Sequence, residues 1–289
     1  MRVLVVGAGG RLGSAIARGF AGWAEVTGTA RADLDVRDRR AVVDLAGSIG
    51  PAAIVNCTAF NDVDGAEDDP GQALAVNAFA VRHLAEAARL CGAALVHFST
   101  DFVFDGTADR PYVEEDRPNP LGVYAGSKLL GEWFAALAPR HYVLRVESLF
   151  GSAAGAHRPA SVDRIVEAIA AGREARVFAD RTVSPSYHDD VAEATRVLIQ
   201  GGAPPGVYHC VNSGSCTWEA LAREAGRLLE VEPRLAPILT ADTPMRARRP
   251  RYCALSNAKL AAAGARMPAW QDALARHIAR RQPARPAAS

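Results

Sequence analysis

The chain has 289 residues, of which 49% are hydrophobic and 22% charged, with a formal net charge of +1. That length builds one large domain or two intimate ones around an adequate core. The charge balance excludes an electrostatic binder of nucleic acid polymers and an acidic disordered chain. No apolar run reaches the roughly 20 residues of a membrane span. The N-terminal MRVLVVGAGG lacks the small-residue cleavage region of a signal peptide, so a cytoplasmic protein with no membrane partner is expected.

In chain order, short β-branched runs predict strands at residues 3–6, 26–29, 54–58, 95–99, 142–146 and 207–211. Helical patterns lie between them at 12–20, 39–48, 72–90, 124–136, 161–171 and 191–199. This alternation predicts an α/β fold, a doubly wound parallel sheet with helices on both faces. Runs such as LVVG and IVN are apolar throughout, as strands covered on both sides require. After about residue 150 the pattern loosens, with a small-residue loop at 151–156, proline-rich stretches, and helical patterns at 217–229, 257–263 and 270–280. A smaller C-terminal lobe over the carboxyl edge of the sheet is expected. Residues 1–148 with about 178–210 then form a dinucleotide-binding domain, and about 149–177 with 211–281 form the lobe. Residues 282–289 carry no apolar core and read as a disordered tail.

The first strand runs into Gly7, Gly10 and Gly13 and then a helix. Glycines at that place allow a tight turn and bring backbone N–H groups to a pyrophosphate at a helix N-terminus. The second predicted strand ends at Arg31, which with Arg11 suits the 2′-phosphate of NADPH. Asp33 and Asp35 keep NADH open as the alternative, and Asp35 with Val36 could instead face the adenine. Thr100 closes the fourth strand, and Tyr124 and Lys128 stand four apart on one helix face. Lys128 is one of only two lysines. A free tyrosine has a pKa of about 10, and an adjacent ammonium is expected to lower it. Together the three make a carbonyl-reducing set: one orients the carbonyl, one donates the proton, one tunes the donor.

Other residues read as structural. Five scattered cysteines without a CxxC, and seven histidines without an HxxxH, predict reduced thiols and no metal. Asp62-Val-Asp64-Gly65 lacks calcium-loop spacing and fits the loop after the fourth strand at the mouth of the cofactor cleft. His97 lies within a strand pattern and reads as a packed core residue.

GAGGRLG, IVNCTAFNDVDGAE, Val76-Asn77, STDFVFDG, YAGSKLLGE and RPRYCALSN resemble the dTDP-4-dehydrorhamnose reductase family of extended short-chain dehydrogenase/reductases. The resemblance spans most of the chain. It implies a Rossmann domain with a sugar-nucleotide-binding lobe, and NAD(P)H-dependent reduction of the 4-keto group of a nucleotide-linked 4-keto-6-deoxy sugar. It implies Thr100, Tyr124 and Lys128 as the catalytic set. It places Gly7, Gly10, Arg11, Leu12, Asp35, Val36, Ala59 and Asn77 along the cofactor, where Gly13, Arg31, Tyr124 and Lys128 are expected from the residues themselves. Asp101, Val103, Glu147, Ser148 and Arg249 are expected toward the nucleotide-sugar substrate. A homodimer is compatible with it.

Departures from the family pattern stand out. The segment after the sixth strand, where the family often has tryptophan, reads Arg145-Val-Glu147-Ser148-Leu-Phe150, which leaves the identity of the sugar open. Glu147 could contact a differently hydroxylated sugar or pair with a nearby arginine. Ala15 stands where some members carry a glutamate tied to a magnesium-bridged dimer, so that metal is not expected. The DQxGxPT segment has Val183 for its glycine, so its loop should differ. Arg248, Arg249 and Arg251 suit either a diphosphate or a solvated basic loop. Two further readings keep the fold: an epimerase or dehydratase with retained NAD, and a non-catalytic NADP-binding regulatory subunit, against which the intact Thr100/Tyr124/Lys128 set weighs.

Overall fold

The computed structural model describes residues 1–151 and 159–281; most of the expected loop at 151–156 and the whole tail at 282–289 lie outside the described residues. Six strands form one parallel sheet: β1 (Arg2–Val6), β2 (Glu25–Thr29), β3 (Ala53–Asn56), β4 (Ala94–Thr100), β5 (His141–Val146) and β6 (Gly206–His209), in the order β2-β1-β3-β4-β5-β6. These are the six runs read from the sequence. Successive side chains of a strand point to opposite faces, and both faces are dry here. Val3, Val5, Val55, Val96 and Leu144 enter one apolar core, whereas Leu4, Val6, Ile54, Leu95 and Val143 enter another. The first core is closed by α1 (Arg11–Phe20) and α6 (His188–Gly201). The second is closed by α2 (Arg39–Ile49), α3 (Ala80–Cys91) and α4 (Val123–Ala135). Each aliphatic side chain sealed in this way contributes about 1.5–3 kcal/mol.

The chain leaves β1 for β2 on one side and returns to β3 on the other. A crevice therefore opens at the carboxyl ends of β1 and β3, where ligands of doubly wound sheets bind. No strand lies between β2 and β3. The Asp62–Gly65 loop consequently follows the third strand rather than the fourth, and Glu147 and Ser148 follow the fifth rather than the sixth.

The helix expected at 72–90 is interrupted. An α segment (Pro70–Leu74) passes through a π turn (Ala75–Phe79) before α3 begins. Asn77 sits in that turn, fully buried, and bonds both the N–H and the carbonyl of Phe60 (2.8 and 3.1 Å) and the Ser127 hydroxyl of α4 (3.0 Å). A π turn displaces one residue from the helical ladder, and here that residue ties the cleft wall to α4.

A separate apolar core organises the lobe around α5 (Ser161–Ala170), α7 (Trp218–Leu229) and α8 (Trp270–Arg281), with a parallel pair of short strands, Ala175–Phe178 and Leu235–Ile238. Val183 and Tyr187 pack in this core, while Leu260, Ala265 and Met267 pack in the sheet core. The chain thus crosses between the two cores more often than composition suggests. Among the described residues no helix is long and apolar enough to cross a membrane.

Candidate active site

Gly7 adopts φ +85°, a conformation that favours glycine. Its N–H and that of Ala8 both donate to the Thr29 carbonyl (2.9 and 2.8 Å), fixing the turn against the end of β2. A Cβ on Gly13 would fall 2.2 Å from the Gly7 carbonyl oxygen, so only glycine lets α1 pack this closely on the loop. Gly10 precedes α1, and no acidic residue stands in its first turn. The positive end of the helix dipole thus faces the crevice without an acidic side chain beside it, which suits a phosphate.

The crevice has two halves of about 490 and 480 Å³ that share Gly10, Cys57, Thr58, Ala59 and Asn61. The outer half is bounded by Gly7, Arg31, Asp35, Val36 and Arg37. Asp35 is bound there by Arg37 (2.7–3.1 Å), whose guanidinium holds the carboxyl down at about 2. The inner half is bounded by Arg11, Leu12, Thr100, Asp101, Tyr124, Lys128, Glu147, Ser148 and Arg249. Gly13 and Asn77 do not line it; they support its walls as described. Val103, expected at the substrate, is instead fully buried with Phe104, Tyr112 and Leu129, because the 3-10 turn Asp101–Val103 carries its side chain away from the crevice.

Thr100 ends β4, and α4 brings Tyr124 and Lys128 to the same wall. The Thr100 hydroxyl donates to Asp101 Oδ1 (2.8 Å) and accepts from the Phe102 N–H (3.2 Å). Lys128 Nζ donates to the Phe98 carbonyl (2.5 Å). The expected acidification of Tyr124 is not present. Burial and the neighbouring Asp101 push its phenol above the ordinary value, with the Thr100 hydroxyl opposing the shift. Burial acts on Lys128 as well, lowering it to about 8 against the pull of Glu132. Desolvation thus outweighs the ammonium–phenol attraction that the spacing suggests. A raised phenol keeps its proton at neutral pH, which is the state a proton donor needs. For Lys128 the charged form is lost as pH rises through about 8. The kcat/KM of the enzyme is therefore expected to decline above about pH 8, since that parameter reports groups of the free enzyme. A pH–rate profile checks this, and one that stays flat through that pH separates the lysine charge from turnover.

Residues 1–282 match the family described as "RmlD substrate binding domain". The chain is 37% identical over 275 residues to the dTDP-4-dehydrorhamnose reductase of Streptomyces griseus, covering 91% of this chain and 88% of that one. The chain belongs to the dTDP-4-dehydrorhamnose reductase family. A crystal structure of such a reductase from Clostridium acetobutylicum superposes with a TM-score of 0.90 at 32% identity, over 96% of this chain and 99% of that chain. Another, from Bacillus anthracis in complex with NADP, gives 0.89 at 30% identity, over 96% and 99%.

Within this reductase-family fold several cleft residues escaped the sequence reading. Arg181 lines the inner half and lies against Phe102 and Phe178 (5.9 and 5.4 Å to the ring centroids). It belongs to the DQxGxPT-like segment, whose departure from the family pattern was the available signal. Trp218, at the start of α7, also faces the inner half. A lone tryptophan gives no periodic signal, so only the fold brings it to the cleft that lacks one at residues 145–150. Arg249 is neither solvated nor free: it grips both oxygens of Asp64 (3.0 Å each) and borders the cleft. Glu147 is buried and accepts from the Ser184 N–H rather than from Arg145, which Glu132 engages. Ser148 takes φ +43°, a strained setting for a residue other than glycine, at the cleft wall.

Proposed function

We propose that the chain reduces the 4-keto group of a nucleotide-linked 4-keto-6-deoxy sugar, dTDP-4-dehydrorhamnose or a close relative, with NADPH. One observation carries this reading: Thr100, Tyr124 and Lys128 converge on one wall of a two-part crevice that begins at a glycine turn and a helix N-terminus. The relatives named as dTDP-4-dehydrorhamnose reductases, one of them bound to NADP, support it.

The residues fit the dinucleotide. The glycine turn, whose close packing at Gly7 and Gly13 a Cβ would break, would present the helix start at Gly10, Arg11 and Leu12 to the pyrophosphate. Arg31 and Arg37 give the outer half a cationic rim suited to a 2′-phosphate, and Val36 lines the same half, where it would meet the adenine. Bound there, the nicotinamide supplies the hydride. The protein does the rest. Lys128 holds the ribose hydroxyls, Thr100 hydrogen-bonds the keto oxygen, and Tyr124 gives that oxygen its proton as negative charge develops. The inner half continues into a groove lined by Arg164, Arg176, Phe178 and Trp218, which offers cations to the diphosphate and rings to the base.

The test is NADPH oxidation by the purified chain with a panel of nucleotide-linked 4-keto-6-deoxyhexoses, with product stereochemistry read by NMR. Turnover with at least one dTDP-linked ketosugar is expected. Protein that carries a stoichiometric, non-exchanging NAD and consumes no NADPH would replace this reading with the epimerase one. Stable NADP binding with no turnover of any ketosugar would leave the regulatory subunit.

A further inference from the structure

At the Thr100–Tyr124 end of the cleft, ligand-type atoms of Asp101, Glu147 and Cys253 all lie within 4.8 Å of one another, and all three residues are buried. Each carboxyl has one satisfied oxygen. Asp101 Oδ1 accepts from the Thr100 hydroxyl (2.8 Å), and Glu147 Oε2 accepts from the Ser184 N–H. The other two, Asp101 Oδ2 and Glu147 Oε1, are shut off from solvent and meet no nitrogen or oxygen donor among the described residues, while the weakly donating Cys253 thiol hydrogen-bonds Asp101. Orphaned buried oxygens of this kind call for an explanation. Two carboxylates this close and this dry do not both stay ionised at rest. A single proton held by the pair gives one of the two orphaned oxygens its donor. It also leaves one negative charge to face the Arg181 guanidinium, which acts on both carboxyls. The remaining groups that act on the pair are the Cys253, Cys216 and Tyr252 side chains and Tyr124 itself, each neutral in its ordinary state.

We propose that Asp101 and Glu147 hold one proton between them and, acting through Thr100, return a proton to Tyr124 after each reduction. The inference rests on the ketoreductase reading above. When Tyr124 has given its proton to the substrate oxygen, its O–H bond is broken and a phenolate remains. The Thr100 hydroxyl then turns from Asp101 to the phenolate and passes its hydrogen across, re-forming the tyrosine O–H. The pair's proton passes onto Asp101, whose carboxyl turns to present it at the Thr100 oxygen, the group that Asp101 already meets. The pair is left as two carboxylates beside Arg181, and it takes one proton from water when product leaves. No electrons move in these steps. Charge is conserved, since the negative charge of the phenolate passes to the pair. The phenolate is the base that draws the proton, since burial and the Asp101 charge hold the Tyr124 phenol above its ordinary value.

Two measurements on the full chain test this. Infrared spectra of the cofactor-free protein at neutral pH are expected to show the C=O band of a protonated, buried carboxyl that vanishes in Glu147→Gln. Stopped-flow NADPH oxidation by Glu147→Gln is expected to show one fast turnover per site at the wild-type rate, then a steady state slowed at least about tenfold, with NADPH affinity unchanged. Glu147→Asp, which keeps the carboxyl, is expected to recover much of the steady-state rate. A first turnover slowed as much as the later ones, or neither slowed, overturns the role in proton return. Absence of the band in an enzyme that turns over ketosugar overturns the shared proton. A stoichiometric metal ion that is lost in Cys253→Ala overturns it as well, by assigning the cluster to a cation. If the band is present but no ketosugar is reduced by the wild type, the pair stands and the function reading fails.

Discussion

Replacing Tyr124 by phenylalanine is expected to lower kcat by about 10²–10⁴-fold, the usual worth of a placed proton donor, while NADPH affinity changes little. The ring itself is structural: it meets Phe102 edge to face at 6.1 Å, and phenylalanine keeps that contact. Only the hydroxyl is lost, and with it the proton that meets the developing negative charge. Burial and Asp101 hold the phenol above its ordinary value, so across the neutral range the native tyrosine is fully protonated and ready to donate. The pH dependence below about 8 is therefore not set by Tyr124, and the falling limb above it belongs to Lys128. Steady-state kinetics with fluorescence titration of NADPH separates the two effects. A variant that retains more than about a tenth of wild-type kcat would remove Tyr124 from the role of acid and reassign the proton to another group at the carbonyl.

The sheet was legible because burial on both faces writes an unmistakable pattern. Leu4 and Val5 must both be apolar when neither face meets water, and the same holds at Ile54 and Val55 and at Leu95 and Val96. The glycine turn was legible because Gly7 and Gly13 are demanded by backbone conformation and close approach, not by side-chain packing. Tertiary placement was less so. Val103 carries a family motif and yet packs into the core, since one 3-10 turn decides which side of the strand end it faces. The π turn around Asn77 has no propensity signature. The protonation of the site was misjudged for a related reason: helix spacing reports that Tyr124 and Lys128 share a face, but not that both are withdrawn from water, and desolvation is the larger effect on each. Nor does spacing along the chain pair Arg145 with Glu132, thirteen positions apart on different elements.

That pair carries the second large expected effect. Glu132 of α4 and Arg145 of β5 are each 4% exposed at the side chain and meet in a two-point fork, Nε to Oε1 at 2.9 Å and Nη2 to Oε2 at 2.8 Å. The Ser99 hydroxyl of β4 adds a third bond to Oε1 at 2.6 Å, so one carboxylate joins a helix to two adjacent strands. Arg145 also lies over the Phe104 ring at 5.0 Å. Glu132→Ala leaves a guanidinium buried without its counter-charge, a change that costs about 3–5 kcal/mol. Urea unfolding should register it as a lowered midpoint at an unchanged slope. The double variant Glu132→Leu/Arg145→Met is expected to recover most of that loss, because removing both partners strands no charge. The same substitution reaches the active site. Glu132 lies one turn beyond Lys128 and is the group that raises the lysine against desolvation. Without it the lysine loses its proton at lower pH, and the alkaline fall in kcat/KM should begin below about 8 in any Glu132→Ala protein that remains folded. A stability loss under about 1 kcal/mol would mean that water reaches the fork as it reaches a surface pair, and the shift of the alkaline limb would then be expected to vanish with it.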